Sequence, residues 1–422
     1  MYFCLMGLNY ETSRKKAKVF AALPVFRESE WLPLLFESLA KQTCPELELV
    51  ACVNQPEEFR LNPEKQYIID DNQQCLQLLK NFGRTGVKVH IIDHSSPGKG
   101  WQGKKQGVGQ ARKAVMDYIS SIANLEDIIV SIDADTYYPP DYFAALRETF
   151  QQFPQATGIC VPYHHPLSGN EEADRCMLRY EIYMRAYALN LLAIENPYAF
   201  TAIGSSMATT VRVYKKLGGI TPYAAGEDFY FIQKLAKNGP LVTWAPTKAF
   251  PAGRFSDRVI FGTGPAMIKG RLGDWSSYPV YPPSLFIPIR DTFALFEPLF
   301  EKDIATPLDN FLEKTFGTRF IWQTLRDNAR SKDSFKRACM QKIDGLRILQ
   351  YVKSNLQNHG GNNEDHLNAL LQTLPGGKNY RLHTPFSSTP IETLERIRLF
   401  MEQTEETIRQ TSLVVNQKYF KK

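Results

Sequence analysis

Ile128-Ile-Val-Ser-Ile-Asp-Ala-Asp-Thr136 is the stretch on which the fold turns. Ile128, Ile129 and Val130 make a short apolar, β-rich run that ends in two aspartates one residue apart. Such a run, bounded by polar turn residues, reads as a strand buried on both faces. The same grammar extends outward over residues 18–244. Further β-rich runs lie at 19–23, 47–53, 87–92, 158–163, 202–208 and 241–244. Helix candidates lie between them, at 30–41 with Ser29 as its cap, and near 66–82, 107–122, 141–153, 171–194 and 227–237, with apolar residues three and four apart. The alternation predicts an α/β domain with a largely parallel sheet. Ligands in such sheets sit outside the carboxyl ends of the strands, so chemistry is expected at strand exits.

Length and composition set the frame. A chain of 422 residues has room for two or three domains, or for one catalytic unit with an extension. With 43% apolar, 12% aromatic and 22% charged residues it is neither collagen-like, nor a coiled coil, nor wholly disordered. Fifty Lys and Arg against 44 Asp and Glu leave +6, too small an excess over this length to argue for nucleic acid, and none is expected as a partner. The most apolar stretch, 278–300, is broken by prolines and by Arg290, Asp291 and Glu297, unlike a membrane span. The apolar opening 2–8 is short for a signal peptide, and Arg14, Lys15, Lys16 and Lys18 follow it instead of preceding it. Seven scattered cysteines without a CxxC pair read as reduced thiols in a cytoplasmic protein.

Three segments are expected: an extension at 1–17, a catalytic domain at 18–275 and a mainly helical region at 276–422. The last helix is given a start by Thr389 and Glu392 as a capping box with Pro390 at its first position. Leu394, Ile397, Met401 and Ile408 mark its apolar face, suited to packing on the catalytic domain or on a second chain.

Several motifs bear on chemistry. Asp133 and Asp135 at a strand exit suit a divalent cation, which prefers oxygen ligands and keeps positions for water and phosphate oxygens; the alternative is an ordinary acidic turn. Gly226-Glu-Asp-Phe229 opens a helix, where acids complement the dipole, and Asp228 could also serve as a general base beside Glu227. Gly204 opens a small-residue stretch, 204–210, that backbone and sugar could share closely. The basic, glycine-rich segment 97–113, with Lys99, Lys104, Lys105 and Arg112, suits a phosphate near a helix start, although its GxGxxG and near-Walker matches fail on context. A second basic group, Arg254, Arg258, Lys269 and Arg271, fits either a lid over a diphosphate or a salt-bridged loop. Tyr180, Tyr183 and Tyr187, at helical spacing, fit the core better than an acceptor platform.

Taken in order, these residues resemble the GT-A nucleotide-sugar glycosyltransferases, most closely family two. The resemblance covers about 18–242. Pro24 and Glu28 match the family's Pro-x-x-x-Glu turn at the nucleoside, Ala111-Arg-Lys113 matches its Ala-Arg-Asn region, Asp133 and Asp135 its DxD, and Glu227-Asp228 its acidic pair. Asn54 stands where the family usually has an aspartate against uracil. The resemblance implies a GT-A-like, Rossmann-type mixed and mostly parallel sheet flanked by helices with a C-terminal helical extension. It implies Mg²⁺ or Mn²⁺ on Asp135 and Asp133, with Asp228 as base and Glu227 as its support. Pro24, Glu28, Asn54, Lys104, Arg112, Asp133, Gly204, Arg254 and Arg258 are implied around a nucleoside-diphosphate sugar. Without a Gln-x-x-Arg-Trp motif, transfer of a single sugar is expected, with inversion, to a glycan, a lipid-linked or a small-molecule acceptor; peripheral contact at the inner membrane face and a homo-oligomer stay open.

Three rivals bracket this reading. A haloacid-dehalogenase-like phosphatase needs Thr or Val where Tyr137 stands. A sugar-nucleotide nucleotidyltransferase wants its glycine-rich signature after the first strand, where Val25-Phe-Arg-Glu28 follows instead. A non-catalytic binding protein on the same fold would have less need of Asp133, Asp135 and Asp228.

Overall fold

The computed structural model describes residues 17–84, 86–103, 106–223, 226–257 and 262–420. Its strands are β1 (Val19–Val25), β2 (Leu47–Asn54), β3 (Lys88–His94), β4 (Ile128–Ser131), β5 (Thr136–Tyr137), β6 (Gly158–Cys160), β7 (Met207–Thr210), β8 (Leu241–Val242) and β9 (Phe250–Pro251). Seven of them form one sheet in the order β3-β2-β1-β4-β7-β6-β8. β1 pairs in parallel with β2 and β4, and β2 with β3, whereas β7 runs antiparallel to both β4 and β6. The expected mixed, mostly parallel sheet is therefore observed. Strand order reverses direction at β1 and β4, the place where an open α/β sheet leaves a crevice.

Around the sheet lie α1 (Leu32–Ala40), α2 (Gln66–Phe82), α3 (Val108–Ile122), α4 (Tyr142–Gln152), α5 (Glu171–Ala193), α6 (Val211–Lys216), α7 (Glu227–Asn238) and α8 (Thr263–Arg271). Residue parity in β1 assigns the layers. Val19, Ala21, Leu23 and Val25 join Leu32, Leu35 and Leu39 of α1, Leu76 and Leu79 of α2 and Phe143 and Leu146 of α4. Phe20 and Ala22 join Ala111, Val115, Met116 and Ile119 of α3 and Ile232 and Leu235 of α7. Alternate side chains thus feed two cores, as a strand covered on both faces requires.

The C-terminal region is helical, with α9 (Ile287–Ala294), α10 (Asp309–Phe316), α11 (Ile321–Asp327), α12 (Lys332–Lys342), α13 (Gly345–Asn355), α14 (Asn363–Thr373) and α15 (Ile391–Thr411). Leu394, Ile397 and Met401 of α15 are buried against Leu178, Ile182, Ala186 and Leu189 of α5. The chain then returns to the sheet edge: the Thr243 amide donates to the Leu413 carbonyl at 2.9 Å, and the Asn416 side chain accepts from Leu241 at 2.9 Å.

Two expected caps are not made. α1 starts at Leu32 without a side-chain cap, because the Ser29 hydroxyl donates to Asp71 at 2.6 Å. α15 starts at Ile391 with Pro390 at its N-cap, and the Thr389 hydroxyl bonds back to the Pro385 carbonyl at 2.9 Å. In both, a partner brought close by the fold competes successfully with the local amide. Among the described residues no helix is long and apolar enough to cross a membrane.

Candidate active site

β4 delivers Asp133 and Asp135 to the sheet crevice, and three devices hold them there. The Asp133 amide donates to the Tyr138 hydroxyl at 3.0 Å, which donates to the Ser205 carbonyl at 3.2 Å. β5 pairs antiparallel with β9, Thr136 opposite Pro251 and Tyr137 opposite Phe250, and the Ala252 amide donates to the Asp135 carbonyl at 2.9 Å. Gly253 follows, where a Cβ would come within 2.8 Å of Met177 Cγ. The ribbon and the glycine put Arg254 against the acids. Its Nε donates to Asp135 Oδ2 at 2.7 Å, Nη2 lies 2.6 Å from the same oxygen, and Nη2 donates to the Glu28 carboxylate at 3.0 Å. The guanidinium lies over the Trp31 ring, 4.8 Å from its centroid. Burial raises the Asp135 carboxyl above its ordinary value even with Arg254 beside it.

Arg112 of α3 is the second hub, and it is only 2% exposed. Its Nη2 donates to Asp133 Oδ1 at 3.0 Å, Nε to Glu227 Oε1 at 3.1 Å, and Nη1 to the Gly204 carbonyl at 3.1 Å and to the Ser131 hydroxyl. One guanidinium therefore ties the acids after β4 to those opening α7. Gly204 owes its size to this residue, because a Cβ there would meet Arg112 Nη2 at 2.6 Å.

Gly226, with φ 72°, turns the chain into α7, whose first turn carries Glu227 and Asp228. Glu227 is 4% exposed and Asp228 is half-buried. Burial, aided by the neighbouring Glu227 charge, pushes the Asp228 carboxyl up to about 6, against the pull of Arg112 and of the Phe229 amide, which donates to it at 2.7 Å. A carboxyl near 6 is ionised enough at neutral pH to accept a proton, and basic enough to keep it for a time.

The other anticipated positions are distributed unevenly. Pro24 lies buried within β1 and Glu28 faces Arg254, both at the crevice. Asn54 is there too, but its side chain is engaged on both ends: Nδ2 donates to the Val25 carbonyl at 2.8 Å and Oδ1 accepts from Trp101 Nε1 at 3.1 Å. Lys104 and Arg258 fall outside the described residues. The amide cradle anticipated in the glycine-rich segment exists, and an internal carboxylate fills it: Gly98 and Gly100 donate to Glu57 at 3.0 and 2.7 Å. Tyr180, Tyr183 and Tyr187 pack edge-on against Tyr278, Tyr281 and Phe286, in line with core packing. Sequence reading did not single out Tyr138, Ser131, Glu57 or Trp31. Tyr138, an aromatic directly after the acidic turn, was the visible signal among them.

Residues 128–262, which include Asp133, Asp135, Glu227, Asp228 and Arg254, match the model of glycosyl transferase family group 2. Over that segment the resemblance read from the sequence is borne out, and the chain is similar there to enzymes of glycosyl transfer. No curated protein matches the chain. Among solved structures, S. aureus TarS 1-349 in complex with UDP-GlcNAc aligns at 14% identity over 94% of this chain and 91% of its own, with a TM-score of 0.40. The mannosyltransferase PcManGT from Pyrobaculum calidifontis, in complex with GDP-Man and Mn²⁺, aligns at 13% identity over 94% and 88%, with a TM-score of 0.39.

Proposed function

We propose that the chain moves one sugar from a nucleoside-diphosphate sugar to an acceptor hydroxyl, with inversion, and that residues 18–275 do so with 276–422 as helical support. The observation that carries this reading is the convergence of carboxylates in the crevice. Among the described residues, Glu28, Asp133, Asp135, Glu227 and Asp228 gather around Arg112 and Arg254. An oxygen-rich cluster of this kind suits a hard divalent cation such as Mg²⁺ or Mn²⁺. Held by Asp135 with Asp133, that ion would stabilise the charge that develops on the leaving nucleoside diphosphate.

The chain's own side chains do the rest. Pro24, Glu28 and the end of β2 at Asn54 border the nucleoside. Arg254 offers cationic donors to the diphosphate oxygens, and Lys104 and Arg258 are assigned the same role from the sequence. Arg112 holds Asp133 and Glu227 in register from below, and Gly204 lets it do so. Asp228, kept basic by burial, takes the proton from the attacking hydroxyl, and the oxygen then bonds to the anomeric carbon as the diphosphate departs. Glycans, lipid-linked sugars and small molecules all offer such a hydroxyl.

A thermal-shift comparison of UDP, GDP and dTDP, each with and without Mn²⁺, tests the donor half of the proposal. Metal-dependent stabilisation by one nucleotide is expected, and none by any of them would contradict it. Asp228→Asn should bind that nucleotide normally and turn over slowly; full turnover would exclude Asp228 as base.

A further inference from the structure

Arg254 occupies the Asp135 oxygen in a way that bears on the order of binding. Asp135 Oδ2 accepts a charge-assisted bond from Arg254 Nε at 2.7 Å, and Nη2 of the same guanidinium lies 2.6 Å from that oxygen. Nη2 donates to Glu28 at 3.0 Å, and Trp31 supports the guanidinium plane at 4.8 Å. A divalent ion on that oxygen would sit beside a fixed positive group and would compete with the Nε bond and the ion pair for the same oxygen. A diphosphate offers a guanidinium fork the same bidentate geometry as a carboxylate, so moving the fork from Asp135 to phosphate replaces like with like.

We propose that Arg254 is a displaceable internal cation: in the donor-free protein it neutralises Asp135 and Glu28, and it yields Asp135 when a diphosphate arrives, so that metal and nucleotide enter together and metal alone is resisted. The inference rests on the reading of Asp135 as a metal ligand. It makes Arg254 a gate on metal loading in addition to a donor contact.

The test is the binding of Mn²⁺ alone, with no nucleotide, to the full chain, read from the loss of the free-ion paramagnetic resonance signal. Arg254→Met and Arg254→Gln should each bind Mn²⁺ at least about tenfold tighter than the parent, because each removes the competing charge. Arg254→Lys keeps that charge and should stay close to the parent. Adding Asp135→Asn to Arg254→Met should abolish the gain. Unchanged or weaker Mn²⁺ binding by a folded Arg254→Met or Arg254→Gln protein overturns the proposal, as does Arg254→Lys binding as tightly as they do. The reading beneath it has a separate readout: if Asp135→Asn alone leaves nucleotide-dependent Mn²⁺ binding intact, Asp135 is not the ligand, whatever Arg254 does.

Discussion

Two clusters of buried charge in this molecule are built from the same residue types and come out with opposite electrostatics. At the seam between α5 and α15, Glu181 pairs with Arg185 at 2.6 Å, with His165 at 2.8 Å and with Arg398 at 3.3 Å. Glu405 pairs with Arg185 at 3.0 Å and with Arg409 at 2.8 Å. Glu402 pairs with His164 at 2.8 Å and with Lys248, which also reaches Glu406 at 2.6 Å. Burial works against these charges, yet Arg185, His165 and Arg398 hold Glu181 well below the carboxylate range, and His164, Arg185 and Lys248 hold Glu402 down to about 2. In the crevice burial prevails, and Asp135 and Asp228 are both raised.

The contrast separates structure from chemistry more sharply than residue type does. His164, Glu181 and Glu402 bring ligand atoms within 4.8 Å of one another, a spacing that fits a metal ion. Arg185, Arg398 and Lys248 already serve that cluster, so it acts as a clamp on α15. Beside it, a cavity of about 20 Å³ is lined by Tyr163, Thr201 and Thr243, whose hydroxyls lack protein partners, which is room for one bound water.

Breaking the crevice should cost activity and spare stability. Asp228→Asn is expected to lower turnover by roughly 10²–10⁴-fold. Because folding raises this carboxyl from 3.8 to about 6, its contribution to stability is complete below pH 3.8 and is lost as pH rises through 6. Above that, Asp228→Asn should unfold no more easily than the parent, and later by at most about 3 kcal/mol, as urea titration at pH 8 would measure. Breaking the seam should do the reverse. Arg185→Met removes the cation shared by Glu181, Glu402 and Glu405, leaves them on Arg398, Lys248 and Arg409, and is expected to lose about 3 kcal/mol of stability while the folded fraction still binds nucleotide. Glu402, depressed from 4.5 to about 2, contributes stability above pH 4.5 that fades as pH falls toward 2, so the parent should weaken in acid over that window more than Glu402→Gln does. Gly204→Ala, whose new methyl would press on Arg112 at 2.6 Å, should cost about 1–3 kcal/mol and lower turnover, and its effect should not add to that of Arg112→Met. The smallest effect belongs to His164→Ala, about 1 kcal/mol or less, since Lys248 and Arg185 remain on Glu402.

Much of this was legible in the sequence, for identifiable reasons. The apolar runs at 19–25 and before Asp133 depend on near neighbours, and local pattern exposes them. The acidic pair after Gly226 is legible in the same way, as a turn glycine followed by a helix start. What stayed hidden depends on partners far along the chain. Arg112 reads as a surface phosphate contact until Asp133, Gly204 and Glu227 are brought around it. Ser29 looks like a cap until Asp71 offers its hydroxyl an acceptor. Glu57 in the glycine cradle, and Arg254 on Asp135 through a ribbon only two residues wide, leave no periodic trace at all.

Manganese anomalous scattering from crystals of the full chain grown with Mn²⁺ and the stabilising nucleoside diphosphate tests the central claim most directly. The expected result is a peak at coordination distance from Asp135, bridged to both phosphates, with Asp228 facing the open side of the crevice. A peak among His164, Glu181 and Glu402, or nucleotide bound away from Asp135 with no manganese beside it, would contradict it.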